Sequence, residues 1–340
     1  MRARGPTIAF VAAALAMGLG PASAQTSTAK PAEHGPKPAR PAAAAPAAPA
    51  KPAAPGGEPD AAYGAYQRGY YLTAFKEATK RVTEEKNPKS MTMLGELYAN
   101  GLGVTNDDVE AAKWYALAAE RGDREAMFAL AMFRIGGRGG QRDLPDATRL
   151  LTAAAKLGQP AAAYDLGLLY LEGQQFPQDF KRAAELFQMA AQAGNPEAQY
   201  ALATLYKDGR GVAQNPQEAT RLMGEAAQAD FLDAEVEYAI ALFNGTGIAK
   251  DEVGAAAMFR KAALRGSAIA QNRLARIFAI GRGVPAVDAV QAVKWYLISK
   301  AGGDADTFLD DYAQKQSPDV RAAAEKAAKP WLDLIAQSHT

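Results

Sequence analysis

One spacing constrains this chain more than any other feature: one slot is filled by a small residue every 36 positions, as Gly95, Ala131, Gly167, Ala203, Ala239 and Ala275. Each unit carries a large residue and then a glycine behind this slot, as in Leu97-Tyr98 before Gly101, Leu169-Tyr170 before Gly173, Leu205-Tyr206 before Gly209, and Phe278 before Gly281. A second ladder follows as Ala118-Ala119, Ala154-Ala155, Ala190-Ala191, Ala226-Ala227 and Ala262-Ala263. Thirty-six residues hold two helices of about 12 residues and two turns, so the period predicts stacked helical hairpins. Small residues at fixed places let the helices approach closely, and no hairpin can bury its apolar face without the next.

The boundary chemistry agrees. Asp107, Asp143, Asp179, Asn215 and Asp251 are placed to cap each second helix, with Glu110, Asp146 and Glu218 three residues on as a reciprocal capping box or a favourable first-turn charge. Pro216 sits at the first helical position, and Gly122, Gly158, Gly194 and Gly266 stop the helix where a left-handed residue is needed. The fold expected is all-α: a right-handed alpha-alpha solenoid of about seven hairpins over 61–307, closed by helices over 308–340.

The chain divides further. Residues 1–24 read as a signal peptide, with Arg2 and Arg4, an apolar run from Ile8 to Leu19 and Ala22-Ser23-Ala24 before Gln25. That run is too short for a confident membrane span, and nothing later offers another. The expected location is therefore the periplasm or the exterior. Residues 25–60, rich in alanine and holding nine prolines from Pro31 to Pro59, read as an extended linker. The hairpin turn at Gly69 to Ala74 is compressed, as suits the first cap of an array. In the second unit Gly136-Gly137-Arg138-Gly139-Gly140 lacks the lysine and hydroxyl of a phosphate loop, and in the third Phe176 replaces part of the usual turn as an interface plug. Near the end, Asp319 is placed to cap a helix that Pro330 should kink or divide. Phe308, Leu309, Tyr312, Trp331, Leu332 and Ile335 are expected to cover the last hairpin.

Chemistry is scarce. His34 and His339 lie outside the repeats and there is no cysteine, so a histidine-based triad, a cysteine nucleophile and the common zinc sites have no residues in the folded body. No carboxylate pair stands out from helix caps. The chain therefore reads as no enzyme, with no cofactor and no metal. A near-neutral balance of 38 basic and 37 acidic side chains gives no reason to expect nucleic acid.

Binding is the remaining role, and the first helix of each hairpin should line the inner side of the array. Counting from the small slot places Glu96, Met132, Leu168, Thr204, Ile240 and Arg276 there, with Tyr164, Glu172, Tyr200, Lys207, Asp208, Phe243 and Asn244 nearby. Arg276 and Lys207 are expected to stay free for a partner's carboxylates. Reversing both charges should then weaken partner capture without changing thermal unfolding.

Met93-Leu94-Gly95-Glu96-Leu97-Tyr98-Ala99-Asn100-Gly101-Leu102-Gly103-Val104, then Ala111-Ala112-Lys113-Trp114-Tyr115 and Ala118-Ala119, resemble the Sel-one-like repeat, a relative of the tetratricopeptide repeat. The likeness returns at Leu202-Ala203-Thr204-Leu205-Tyr206 with Gly209-Arg210-Gly211-Val212 and covers about 62–307. It implies a superhelical adaptor that gathers protein complexes, often in the bacterial envelope. A compressed first unit after a signal peptide is also similar to periplasmic regulators of exopolysaccharide synthesis, which implies a membrane sensor or an envelope complex as partner. A peptidoglycan- or other glycan-associated envelope role is the alternative reading. The cysteine-rich secreted branch is excluded, since this chain has none.

Overall fold

The computed structural model describes residues 60–173 and 177–338. The expected signal peptide, nearly all of the expected linker, Phe176 and His339 lie outside those residues. Among the described residues there are sixteen helices and no strand. Seven hairpins follow one another: α1 (Ala61–Gln67) with α2 (Tyr71–Glu85), α3 (Pro88–Asn100) with α4 (Asp108–Glu120), α5 (Arg124–Gly136) with α6 (Leu144–Lys156), and α7 (Pro160–Glu172) with α8 (Phe180–Gln192). Then come α9 (Pro196–Asp208) with α10 (Pro216–Gln228), α11 (Leu232–Asn244) with α12 (Glu252–Leu264), and α13 (Ala268–Ile280) with α14 (Ala289–Ala301). Two further helices, α15 (Thr307–Gln314) and α16 (Pro318–Ser338), close the end. The protein is an all-α solenoid in which each helix from α1 to α15 packs on its neighbour in the chain and α16 returns to α14.

Local chemistry sets these limits. Asp107, Asp143, Asp179, Asn215 and Asp251 each accept a backbone N–H in the first turn of their helix, and Asp288 does so for α14. The reciprocal half of a capping box has no place here, because the cap's own N–H is engaged elsewhere: Asp107 donates to the Tyr98 carbonyl, Asp143 to Arg134 and Asn215 to Tyr206. Glu110, Asp146 and Glu218 instead pair with Lys113, Arg149 and Arg221 one turn on. Each acts as a first-turn charge. Gly122, Gly158, Gly194 and Gly266 take the left-handed conformation. At the equivalent place before α11 stands Asp230, left-handed at φ 60°, with its carboxylate 2.6 Å from Lys261.

The core is built on the two ladders. Ala131, Ala203, Ala239 and Ala275 are wholly buried, as are Ala118, Ala154, Ala190, Ala226 and Ala262. At Gly167 even a methyl group would not fit, since a Cβ there would lie 2.6 Å from the Phe187 ring. The second glycine of each turn serves a different contact. Gly211, at φ 73°, presses its backbone on α8, where a Cβ would come within 2.3 Å of the Phe180 carbonyl carbon. Arginines reinforce this seat: Arg138 pairs with Asp108 and lies 4.2 Å over Phe133, and Arg210 lies 4.1 Å over Phe180. The glycine-rich turn of the second unit is thus a packing element.

Three expectations at the end of the chain need correction. Ser317, not Asp319, caps α16, because Pro318 takes the first helical position and the Val320 N–H points back to the serine hydroxyl. Pro330 does not divide α16, which runs unbroken through it. Wholly buried Ala324 and Ala328 and the Trp331–Trp295 contact, with ring centres 5.8 Å apart, hold the helix on both sides of the proline. Leu309, Tyr312, Trp331, Leu332 and Ile335 join the terminal core, but Phe308 remains 41% exposed.

Candidate interaction face

At three places along the array a side-chain link of 30 residues joins a first helix to the next one or to the terminal cap. Tyr66 of α1 donates to Glu96 of α3, Lys207 of α9 pairs with Glu237 of α11 at 2.9 Å, and Arg276 of α13 pairs with Asp306 at the cap of α15. These helices therefore share a face. On each helix four places one turn apart point along it, since residues at i, i+4, i+7 and i+11 fall on one side.

From α7 to α11 this face is acidic. Asp165 and Glu172 stand on α7, Glu197 and Asp208 on α9, Asp233 and Glu237 on α11. Among the described residues Asp165, Glu197, Asp208 and Asp233 are ion-paired with no lysine or arginine. Burial pushes the Asp165 carboxyl up to about 7, with the Glu197 carboxylate adding to it. The same cause, burial first and then Glu237, raises Asp233, and burial alone raises Glu172. Two tyrosines sit among them. Tyr164 packs on Phe187 at 5.7 Å and Tyr200 on Phe231 at 5.3 Å, and each phenol is pushed up to about 12 by burial and by the neighbouring carboxylates.

At α13 the same face changes character. Ile240, Phe243 and Asn244 of α11, Phe259 of α12, Arg273, Arg276, Ile277 and Ile280 of α13, and Phe308 of α15 surround a cavity of about 380 Å³. Arg276 is not free, contrary to expectation. Its Nε and one terminal nitrogen hold Asp306 at 2.5 and 2.8 Å, and its guanidinium lies 5.1 Å over Phe308. Asp306 also accepts from the Phe308 and Leu309 N–H groups, so Arg276 fastens the start of α15 to α13. Lys207 is likewise committed, to Glu237. Arg273 is exposed and ion-paired with no carboxylate among the described residues; burial raises the Asp304 carboxyl, and the Arg273 charge offsets only part of that.

The other expected residues divide. Glu96 is engaged by Tyr66, half-buried Met132 packs on the core, Asp208 is exposed, and Phe243 lies under Arg282 at 4.7 Å. Leu168 and Thr204 are buried, Thr204 donating to the Tyr200 carbonyl, and do not reach the face. The residues that sequence reasoning passed over are Asp165, Glu197, Asp233, Glu237 and Arg273. Stepping back three or seven residues from Glu172, Thr204, Ile240 and Arg276 reaches all five. No group of three histidine, cysteine or carboxylate side chains is placed to hold a metal ion, and no helix is long and apolar enough to cross a membrane, among the described residues.

Comparison with known proteins fits this geometry. The solved Sel1 repeat protein from Oxalobacter formigenes superposes with a TM-score of 0.60 at 25% identity, over 71% of this chain and 97% of that one. The protective antigen c5321 of uropathogenic Escherichia coli, which displays an SLR fold, gives 0.55 at 27% identity over 79% of this chain and 66% of its own. The sequence itself matches the Sel1 repeat six times in succession, over residues 88–123, 124–159, 160–195, 196–231, 232–267 and 268–304. The matched units begin where Asn87 caps and Pro88 opens α3. The chain belongs to the Sel1 repeat family.

Proposed function

We propose that this chain is a protein-interaction scaffold whose first-helix face holds an extended, basic segment of a partner protein. Sel1 repeat proteins are protein–protein interaction scaffolds. The observation that carries the finer reading is the set of carboxylates without an ion pair from three hairpins, Asp165, Glu197 and Asp233 around Tyr164 and Tyr200 and Asp208 at the end of α9. Like charges held together oppose folding, and a cationic ligand relieves them. An aromatic platform with amide partners would favour a glycan instead. Here both tyrosines spend a ring face on phenylalanines of their own array, and the apolar patch at α13 has a charged rim, as a protein ligand needs. The signal-like residues 1–24 support an exported protein, so a membrane sensor or an envelope complex is the partner we favour. No residue pattern supports catalysis.

The test is a titration of the mature chain with lysine-rich and glutamate-rich peptides of equal length across a salt series. The lysine-rich peptide should bind more tightly, with affinity that falls as salt rises. Asp165→Asn with Glu197→Gln should weaken it about tenfold. Equal binding of the two peptides, or binding blind to salt, would overturn the reading.

A further inference from the structure

The cavity at α13 lies on the face just described, yet it asks for the opposite ligand. Its walls are Ile240, Phe243, Ile277, Ile280 and Phe308, and two of these are left substantially exposed, Ile280 at 45% and Phe308 at 41%. About 380 Å³ is within the range of pockets that take a small ligand or a large apolar group. The Arg273 guanidinium stands at this apolar wall and makes no ion pair among the described residues, Asp304 acting on it only at longer range. The neighbouring Arg276 is saturated by Asp306, so Arg273 is the cation left to recognise something from outside. An apolar group that carries a carboxylate matches both demands, because a planar guanidinium holds a carboxylate by two parallel hydrogen bonds.

We propose that the α13 pocket receives the carboxyl terminus of the partner polypeptide, its last side chain large and apolar and its terminal carboxylate on Arg273. This rests on the reading that the face binds an extended partner segment. An internal acidic residue fits less well. Phe308 and the cap of α15, locked to α13 through Arg276, stand at the end of the face, so a chain laid along α7, α9 and α11 stops there. The charge order along the face also sets the direction. Basic residues lie over the carboxylates of α7 to α11, and the chain end follows over α13.

The experiment uses three labelled decapeptides of alternating lysine and alanine, long enough at about 33 Å to reach across several helices. One ends in leucine and phenylalanine with a free carboxylate, one is its C-terminal amide, and one ends in two serines. Fluorescence anisotropy with the mature chain should show the first about tenfold tighter than either of the others. Arg273→Gln should bring the free acid down to the level of the amide while leaving the amide unchanged. Ile280→Asp should abolish the preference for the apolar end. Both side chains are exposed, so the folded array is retained, and circular dichroism checks this. If all three peptides bind equally to the unaltered chain, the pocket proposal falls while the acidic face stands. If the acid keeps its full advantage over the amide in Arg273→Gln, the assignment of that arginine is overturned. Failure of every peptide to bind would overturn the reading of the face itself.

Discussion

Helices α9 and α13 occupy the same position in their hairpins and present different chemistry at the same four places. On α9 these are Glu197 and Asp208 at the two ends, with Ala201 and Thr204 buried between them; on α13 they are Ile269, Arg273, Arg276 and Ile280. The buried sides of the two helices hardly differ: Ala203 and Ala275 are both wholly buried, and each stands beside a wholly buried leucine, Leu202 or Leu274. Packing therefore fixes one side of the repeat and leaves the other open to specialise. The acidic stretch leaves carboxylates without an ion pair, some of them partly buried. The α13 end spends one arginine on the architecture and leaves one at an apolar cavity.

The sharpest way to break this contrast is Arg276→Glu. The change removes both hydrogen bonds to Asp306, whose side chain is only 8% exposed, and sets a second carboxylate beside it. Buried pairs that lose one partner cost about 3–5 kcal/mol, and the partial exposure of Arg276 reduces this to about 3 kcal/mol. Chemical denaturation should show that loss, and α15 should gain hydrogen exchange before the rest of the array. An unchanged midpoint would mean that Arg276 is a binding residue after all. On α9 the corresponding structural test is Ala203→Leu. No volume is spare at this slot, so overpacking should cost about 2 kcal/mol, and the damage should spread to the hairpins on either side.

The division between what could be read from the residues and what could not follows the range of the interactions. Caps such as Asp107 and Asp251, the left-handed glycines and the alanine ladders act within one turn or recur at one period, so the fold was legible almost to the residue. Ser317 escaped because Pro318 shifts the helix start by two positions. The commitment of Arg276 escaped for another reason: its partner Asp306 lies 30 residues on, past the last repeat, where the period gives no guide. Even so, the same interval joins Tyr66 to Glu96 and Lys207 to Glu237, and a search for opposite charges 30 apart would have found two of the three links. Asp165 and Glu197 were within reach of helical spacing. Their mutual repulsion was not, because it depends on how closely α7 and α9 approach.

That repulsion makes Asp165→Asn a test of the acidic side. The folded carboxyl titrates at about 7, well above the ordinary value of about 3.9, so between these pH values the folded state holds a proton that the unfolded chain has lost. Stability from this group is therefore present below about pH 4 and declines as pH rises to about 7. Asp165→Asn should remove that slope and stabilise the protein at pH 8 by about 1–2 kcal/mol, less than the whole shift would correspond to because the group keeps some contact with water. Lysine-rich peptides should likewise bind the unaltered chain more tightly as pH rises through 7. Parallel stability profiles of the variant and the parent between pH 4 and 8 would place Asp165 outside the cluster.

The smallest effect on stability, and a discriminating one for function, is expected from Lys207→Glu. Lys207 and Glu237 are both solvent-accessible, and such pairs contribute about 0–1 kcal/mol. Unfolding should shift by less than about 1 kcal/mol, in contrast to Arg276→Glu. Binding should move the other way from a free-lysine reading of this site. With the cation gone, Glu237 is released and Asp208, Asp233 and the new carboxylate form a denser anionic patch, so a lysine-rich peptide should bind a few-fold more tightly at low salt, an advantage that disappears as screening grows. An acidic peptide should bind more weakly still. If Lys207→Glu instead weakens the lysine-rich peptide, the lysine itself contacts the partner, and the charge order assigned to α7, α9 and α11 must be reversed.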